Sequence, residues 1–200
     1  EVLLEEKVPF SRELAQLVAR SPSGEMRVFP LVETIQQDGV CAEVIAPAPE
    51  TTDSLSARTA EIARTIAEQL DVTGVLAVEL FQVGDDVVVN ELAMRPHNSG
   101  HVLTEGAVTS QFEQHLCAVL DWPLGDTSLT HPWSVMVNMF DDAGHERITA
   151  ALRTSDRVRV HAYGKEPRPG RKAGHIVVSG EKLEDVRDIA RRAAQAGERA

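Results

Sequence analysis

Cysteines and aromatic side chains are scarce in this 200-residue sequence, which has two Cys, one Tyr, two Trp and five Phe. Cys41 and Cys117 lie far apart with no CxxC spacing. That excludes a disulfide framework or a cysteine metal cluster, and both read as buried apolar residues of a reducing compartment. No run approaches the ~18–20 apolar residues needed to span a bilayer. No signal-peptide pattern is visible, so the expectation is a cytoplasmic protein without a membrane partner. Basic side chains are also in deficit, 20 against 31 acidic for a net charge of −11. A surface of this sign repels phosphate backbones and argues against nucleic acid as a partner. The deficit is uneven: residues 1–152 hold 8 basic and 24 acidic groups, residues 153–200 hold 12 and 7. An anionic ligand should find attraction near the C-terminal part.

The chain opens with Glu1-Val2-Leu3-Leu4-Glu5, without Met and already strand-like, and is expected to be a piece of a longer polypeptide. Residues 2–5, 12–19, 26–29 and 40–46 read as strands, the last ended by Pro47 and Pro49. Asp53 suits an N-cap for a helix carrying Leu55, Ile62, Ile66 and Leu70 on one face. Val75–Gln82 and Val87–Ala93 form a hairpin around Gly84-Asp85-Asp86. A second helix follows the capping box Ser110-x-x-Glu113, with Phe112, Leu116 and Leu120 as its expected buried stripe. After Trp122-Pro123-Leu124-Gly125 come strands at 134–140, 157–162 and 175–179. A last helix buries Leu183, Val186, Ile189, Ala190 and Ala193 and stops at Gly197. The class is α+β, with a boundary near residue 125 separating 1–125 from a small, mostly-β segment 126–200 with a terminal helix.

Glu79 and Glu91 are the most informative residues. With a three-residue loop at 84–86, Val83 pairs with Val87 and Glu79 falls opposite Glu91, both carboxylates on one face. Two like charges so placed are destabilising unless a cation sits between them, and a carboxylate pair suits Mg²⁺ completed by phosphate oxygens and water. The alternative is a solvent-facing hairpin with hydrated glutamates. The same alternation puts Ala93 and Arg95 on the Glu91 face, with a guanidinium at phosphate distance. The loop Arg95-Pro96-His97-Asn98-Ser99-Gly100-His101 gathers donors that converge on an anion or a small polar ligand, or form a capped structural loop. Lys165, Arg168, Arg171 and Lys172, interrupted by Pro167, Pro169 and Gly170, make a basic turn suited to a phosphate; a solvated charge run is the alternative.

Asn90-Glu91-Leu92-Ala93-Met94-Arg95 running into the His97-Asn98-Ser99-Gly100-His101 loop, then Ser110-Gln111-Phe112-Glu113-Gln114-His115, resembles the 5-(carboxyamino)imidazole ribonucleotide synthases. So does Arg168-Pro169-Gly170-Arg171-Lys172-Ala173-Gly174-His175. The similarity spans essentially all of the chain and corresponds to the C-terminal half of that ATP-grasp family. The resemblance implies an antiparallel sheet with helices, followed by the small C-terminal unit. It implies ATP-dependent carboxylation of 5-aminoimidazole ribonucleotide by bicarbonate, giving ADP and phosphate, with ATP and Mg²⁺ required and a homodimer common. By the same resemblance Glu79 and Glu91 are metal ligands and Arg95 is catalytic. Glu5, Glu6, Lys7, Val8, Glu13, Gln36, Asn90 and Glu91 bind ATP. His97, Asn98, Ser99, Lys165, Arg171 and Lys172 bind the substrates. Gln36 stands where other members carry His, and Met94 where Pro is common. Competing readings are another ATP-grasp ligase, such as a formate-dependent glycinamide ribonucleotide transformylase or a biotin-carboxylase-like protein, and a non-catalytic nucleotide-binding module.

Overall fold

In the computed structural model, residue 2 and residues 4–197 are described. The expected strand over 2–5 falls partly on residue 3, outside the described residues; Val2, Leu4 and Glu5 have no regular structure. The elements are β1 Arg12–Arg20, β2 Met26–Val28, β3 Val32–Gln37, β4 Val40–Ala46, α1 Asp53–Gln69, β5 Gly74–Val83 and β6 Asp86–Ala93. They continue as α2 Leu103–Gly106, α3 Gln111–Val119, β7 Trp133–Asp141, α4 His145–Leu152, β8 Arg159–Ala162, β9 Arg168–Gly180 and α5 Leu183–Gln195. One antiparallel sheet runs β6-β5-β1-β3-β4-β7-β9-β8, with β2 paired to β1. Because β4 pairs with β7, the sheet passes without interruption from the N-terminal to the C-terminal part.

Strand alternation sorts the sheet into two faces. Leu14, Val18, Leu76 and Leu80 pack beneath α1, while Ile45, Val135, Met139, Ile176 and Val178 pack beneath α5. The register Leu14↔Glu33↔Ile45 puts these two clusters on the same side. The opposite side buries Leu17, Val44, Ala77, Met136 and Val177 with Leu103 and Ala118 of α2 and α3.

Several expectations are corrected. Thr52, not Asp53, caps α1: its backbone is extended and its hydroxyl accepts from Leu55 N, while Asp53 lies in the first turn, where the helix dipole favours a negative charge. The α1 face buries Leu55, Thr59, Ala63 and Ala67 and leaves Leu70, the C-cap, exposed. Ser110 caps α3 as expected, but Phe112, Leu116 and Leu120 face outward. Gln111 and Gln114 turn inward instead, because their amides satisfy buried backbone: Gln114 both donates to Gly125 O and accepts from Gly125 N. β3 and α4 went unforeseen, although Asp38-Gly39, both at positive φ, forms the β3–β4 turn that such a dipeptide favours. The strand expected at 175–179 extends back to Arg168, so the basic segment 168–172 is strand rather than turn. Gly170 at φ 71° and irregular register against Phe140 and Asp141 allow that pairing.

Glu43 ties α5 to this sheet. Its carboxylate is buried, with Oε1 2.6 Å from Arg187 Nε and Oε2 2.6 Å from Arg191 Nε. Replacing it by Gln should leave two partly buried guanidiniums without their counter-charge. The expected cost, discounted for the exposed arginine ends, is about 2 kcal/mol, read as a lower urea midpoint at unchanged slope.

Candidate functional site

The β5–β6 hairpin turns over two residues, Gly84 and Asp85, with Val83 opposite Asp86; the expected three-residue loop is corrected. Gly84 takes φ 62° at the first central position, as a tight hairpin turn requires. The Val83↔Asp86 register would set Glu79 against Asn90. Between the pairs Leu80↔Val89 and Val78↔Leu92, however, Asn90 and Glu91 together oppose Glu79. This bulge shifts the ladder by one residue and restores the anticipated neighbourhood of the two acids. Burial first, then the charge of Glu91, then that of Glu13, raise the Glu79 carboxyl above its ordinary pKa. Glu79 and Glu91 line one cleft with Gln36, Cys41, Asn98 and Lys172.

The loop after β6 closes over this cleft. His97 caps a 3₁₀ turn, Asn98–Gly100, by accepting Ser99 N at Nδ1. With Nδ1 an acceptor, Nε2 carries the proton and lies 3.1 Å from Glu79 Oε1. Burial followed by the Arg95 charge holds the His97 pKa below its usual value. Gln111, fully buried, braces the loop from α3: Oε1 accepts His97 N and Nε2 donates to His97 O, both at 2.9 Å. Gly100 is needed here because a Cβ would lie 2.2 Å from Gln111 Oε1 and 2.5 Å from Leu17 Cδ2.

Asn98 and Asn138 exchange amide hydrogen bonds at 3.1 and 3.0 Å, and Asn138 also donates to Cys41 O. Lys172 Nζ reaches Asn98 Oδ1 at 3.2 Å. Met139 pairs with Gly174 and Phe140 with Lys172, so Ala173 is the extra residue of a bulge in β9. Burial lowers the Lys172 pKa and pushes the Cys41 thiol up to about 11. The cleft measures about 250 Å³. A larger cavity of about 550 Å³, beside β3, β4, β7 and the end of α5, holds neither acid of the pair and not the lysine.

The other anticipated residues are distributed as follows. Gln36 donates to Glu13 Oε2 at 2.9 Å, which joins two anticipated nucleotide contacts at the mouth of the cleft. Asn90 is exposed on the bulge, and Arg95 is exposed with a guanidinium bond, among the described residues, only to Pro96 O. Glu5, Glu6 and Lys7 are exposed ahead of β1, and Val8 O accepts Phe10 N. Lys165 Nζ lies 4.9 Å from the Tyr163 ring centroid and donates to Lys172 O. Arg171 is exposed and makes no hydrogen bond or ion pair among the described residues.

Sequence reasoning missed the braces Gln111 and Asn138, and a column of stacked rings behind the cleft. His101 lies parallel to His175 at 4.5 Å between centroids, His161 stacks on the other side of His175 at 4.5 Å, and Phe112 stacks on His101. His161 and His175 are cross-strand partners, the one signal a register reading could have supplied. Burial pushes His101 down to about 4 and His175 to about 3. A folded pKa below the unfolded value means that the unfolded chain takes up more protons between the two. The stabilisation is therefore complete above about pH 6.5 and is lost as pH falls towards 4 and then 3. The urea midpoint should fall across that window, and His175→Phe should flatten the slope.

The described helices include none long and apolar enough to cross a membrane. A model of the ATP-grasp domain matches residues 1–112, and one of the phosphoribosylaminoimidazole carboxylase C-terminal domain matches residues 134–189. The N5-carboxyaminoimidazole ribonucleotide synthase of Mycobacterium tuberculosis is 50% identical over 199 residues, covering 96% of this chain and 46% of that protein. The synthase of Corynebacterium ammoniagenes is 50% identical over 203 residues, covering 96% and 49%. Among solved structures, the synthetase of Thermus thermophilus superposes with a TM-score of 0.89 at 40% identity, over 97% of this chain and 53% of that one. The Aspergillus clavatus synthase, solved with ADP and 5-aminoimidazole ribonucleotide, gives 0.83 at 33%, over 92% and 50%. The chain spans about half the length of the curated relatives it matches. Its sequence match, its single antiparallel sheet and the acid pair at the bulge lead to one assignment: this chain belongs to the ATP-grasp family.

Proposed function

We propose that the full-length polypeptide uses ATP to carboxylate 5-aminoimidazole ribonucleotide with bicarbonate, releasing ADP and phosphate in purine biosynthesis. The observation that carries this reading is the convergence, in one cleft, of a paired acid site (Glu79 and Glu91) with an amide–lysine site (Asn98 and Lys172). The first suits a nucleotide triphosphate and its cation, the second a phosphorylated, polar acceptor. The names and bound ligands of the relatives support the same substrates.

Magnesium fits the donor set, because a half-buried carboxylate pressed by a second one gains most from a hard cation between them. Glu79 and Glu91 would hold it, and when bound it neutralises the nucleotide's phosphate oxygens. Its remaining oxygen ligands would come from the nucleotide and water. His97 Nε2 lies 3.1 Å from Glu79 Oε1 and packs beside that carboxylate. Arg95, exposed and bonded to Pro96 O, supplies a guanidinium for the group in transfer. Glu13 and Gln36 face the ribose side at the cleft mouth, and Glu5 to Val8 offer backbone to the adenine edge. Asn90 lies beside the nucleotide phosphates. His97, Asn98 and Ser99 position the acceptor, while Lys172, Lys165 and Arg171 answer its ribose phosphate.

Residues 1–125 form part of the nucleotide-binding domain in this reading, and 126–200 a C-terminal unit that delivers Lys165, Arg171 and Lys172. A homodimer in the cytoplasm belongs to the same proposal, supported by the resemblance and by the exposed apolar face of α3. Glu91→Gln in the full-length polypeptide should lower aminoimidazole-ribonucleotide-dependent ADP release by at least about 100-fold. Turnover within a few-fold of wild type would sink the assignment. Release that depends on formate and glycinamide ribonucleotide instead would move the protein to another ligase of the same family.

A further inference from the structure

The ring column behind the cleft has no part in the scheme above, yet it touches every segment that carries a substrate-facing group. His101 ends the loop that holds Asn98. His175 lies on β9, three residues after Lys172, and pairs in register with Asn138 on one side and His161 on the other. Asn138 is the residue that exchanges hydrogen bonds with Asn98. Tyr163 O–H lies 2.7 Å from His175 Nδ1, and the Tyr163 ring carries the Lys165 ammonium on its face. At the far end, His161 Nε2 lies 2.7 Å from Glu105 Oε1, which anchors the column to α2. The close approach of β8 to β9 depends on Gly174, whose Cβ would lie 2.6 Å from His161 O.

Filling a core does not require this chemistry. His175 is 3% exposed and its Nε2 has no hydrogen-bond partner among the described residues. Leaving such an atom buried and unpaired costs about 1–3 kcal/mol, which an aliphatic residue would avoid. What imidazole supplies and an aliphatic side chain does not is a flat ring that stacks on both faces while its edge bonds the Tyr163 hydroxyl.

We propose that His175 is a positioning residue: clamped between His101 and His161, it sets the distance from the loop bearing Asn98 to the β8–β9 connection bearing Lys165 and the strand bearing Lys172. This inference rests on the proposed function for what those groups hold, the phosphorylated ribonucleotide. It makes His175 specific for that substrate and indifferent to the nucleotide triphosphate, whose acids sit on β5 and β6. Misplacing a phosphate-binding group by a fraction of an ångström weakens binding and orientation together.

Two variants in the full-length polypeptide separate the faces of the ring from its edge. His175→Ala removes both stacking and the Tyr163 bond; His175→Phe keeps the stack and removes only the bond. His175→Ala should raise KM for 5-aminoimidazole ribonucleotide about tenfold and leave KM for ATP within about twofold, with His175→Phe near threefold. Amide exchange of residues 98–101 in the ligand-free protein should quicken about tenfold in His175→Ala and stay at the wild-type rate in His175→Phe. Equal rises in both KM values, or exchange at 98–101 unchanged in His175→Ala, would overturn the proposal. A wild-type protein without ribonucleotide-dependent ADP release would instead refute the functional reading, and the exchange measurement would then decide the positioning role by itself.

Discussion

Two carboxylates held side by side on a half-buried sheet surface are the constraint around which this molecule is organised. Glu79 and Glu91 repel one another, and burial of Glu79 removes water that would relieve its charge, while Glu91 stays exposed. Such a pair persists only where the surrounding structure over-determines it. Here β5 is locked between β1 and β6, and the bulge at Asn90-Glu91 prevents the hairpin from sliding to a register that separates the acids. The strain is local and the scaffold beneath it is deep: Ala77 and Val78, next to Glu79, are fully buried on opposite faces.

Everything else in the cleft is arranged to keep donors facing those acids without closing the space between. The His97 loop bends back over them because Gln111 satisfies both backbone groups of His97 and Gly100 leaves room for that amide. Helix α3 thus spends its inward face on glutamines and leaves Phe112, Leu116 and Leu120 outside, an inversion of the usual amphipathic pattern. On the other wall the bulge in β9 brings Lys172 to the cleft, and Asn138 bridges the two walls. Both bulges lie beside the site, where each re-aims one charged side chain.

Much of this was legible in the chain itself. The hairpin, the α+β class, the acid pair, the donor-rich loop and the C-terminal basic segment each carry a local signature, and the motifs around 90–101, 110–115 and 168–175 carry the family. The pairing of Glu79 with Glu91 was anticipated through a wrong turn: a three-residue loop was expected, and a two-residue loop plus a bulge yields the same neighbours. That agreement shows why register arguments near a turn tolerate compensating errors, since only the net offset matters at the far end of the ladder.

What the sequence determined by itself is the inventory: which residues can bind a cation, a phosphate or a polar ring, and which family they belong to. Local spacing and composition suffice for that, because chemistry-bearing residue types stand in short, recognisable runs. What only the tertiary structure decided is which of them meet. Lys172 and Asn98 are 74 positions apart, and His101 and His175 are likewise separated, yet both pairs are in contact. Contacts of that range depend on sheet order, bulges and the burial of Gln111 and Asn138. Those are set by the packing of two faces at once, and no single stretch of chain encodes them.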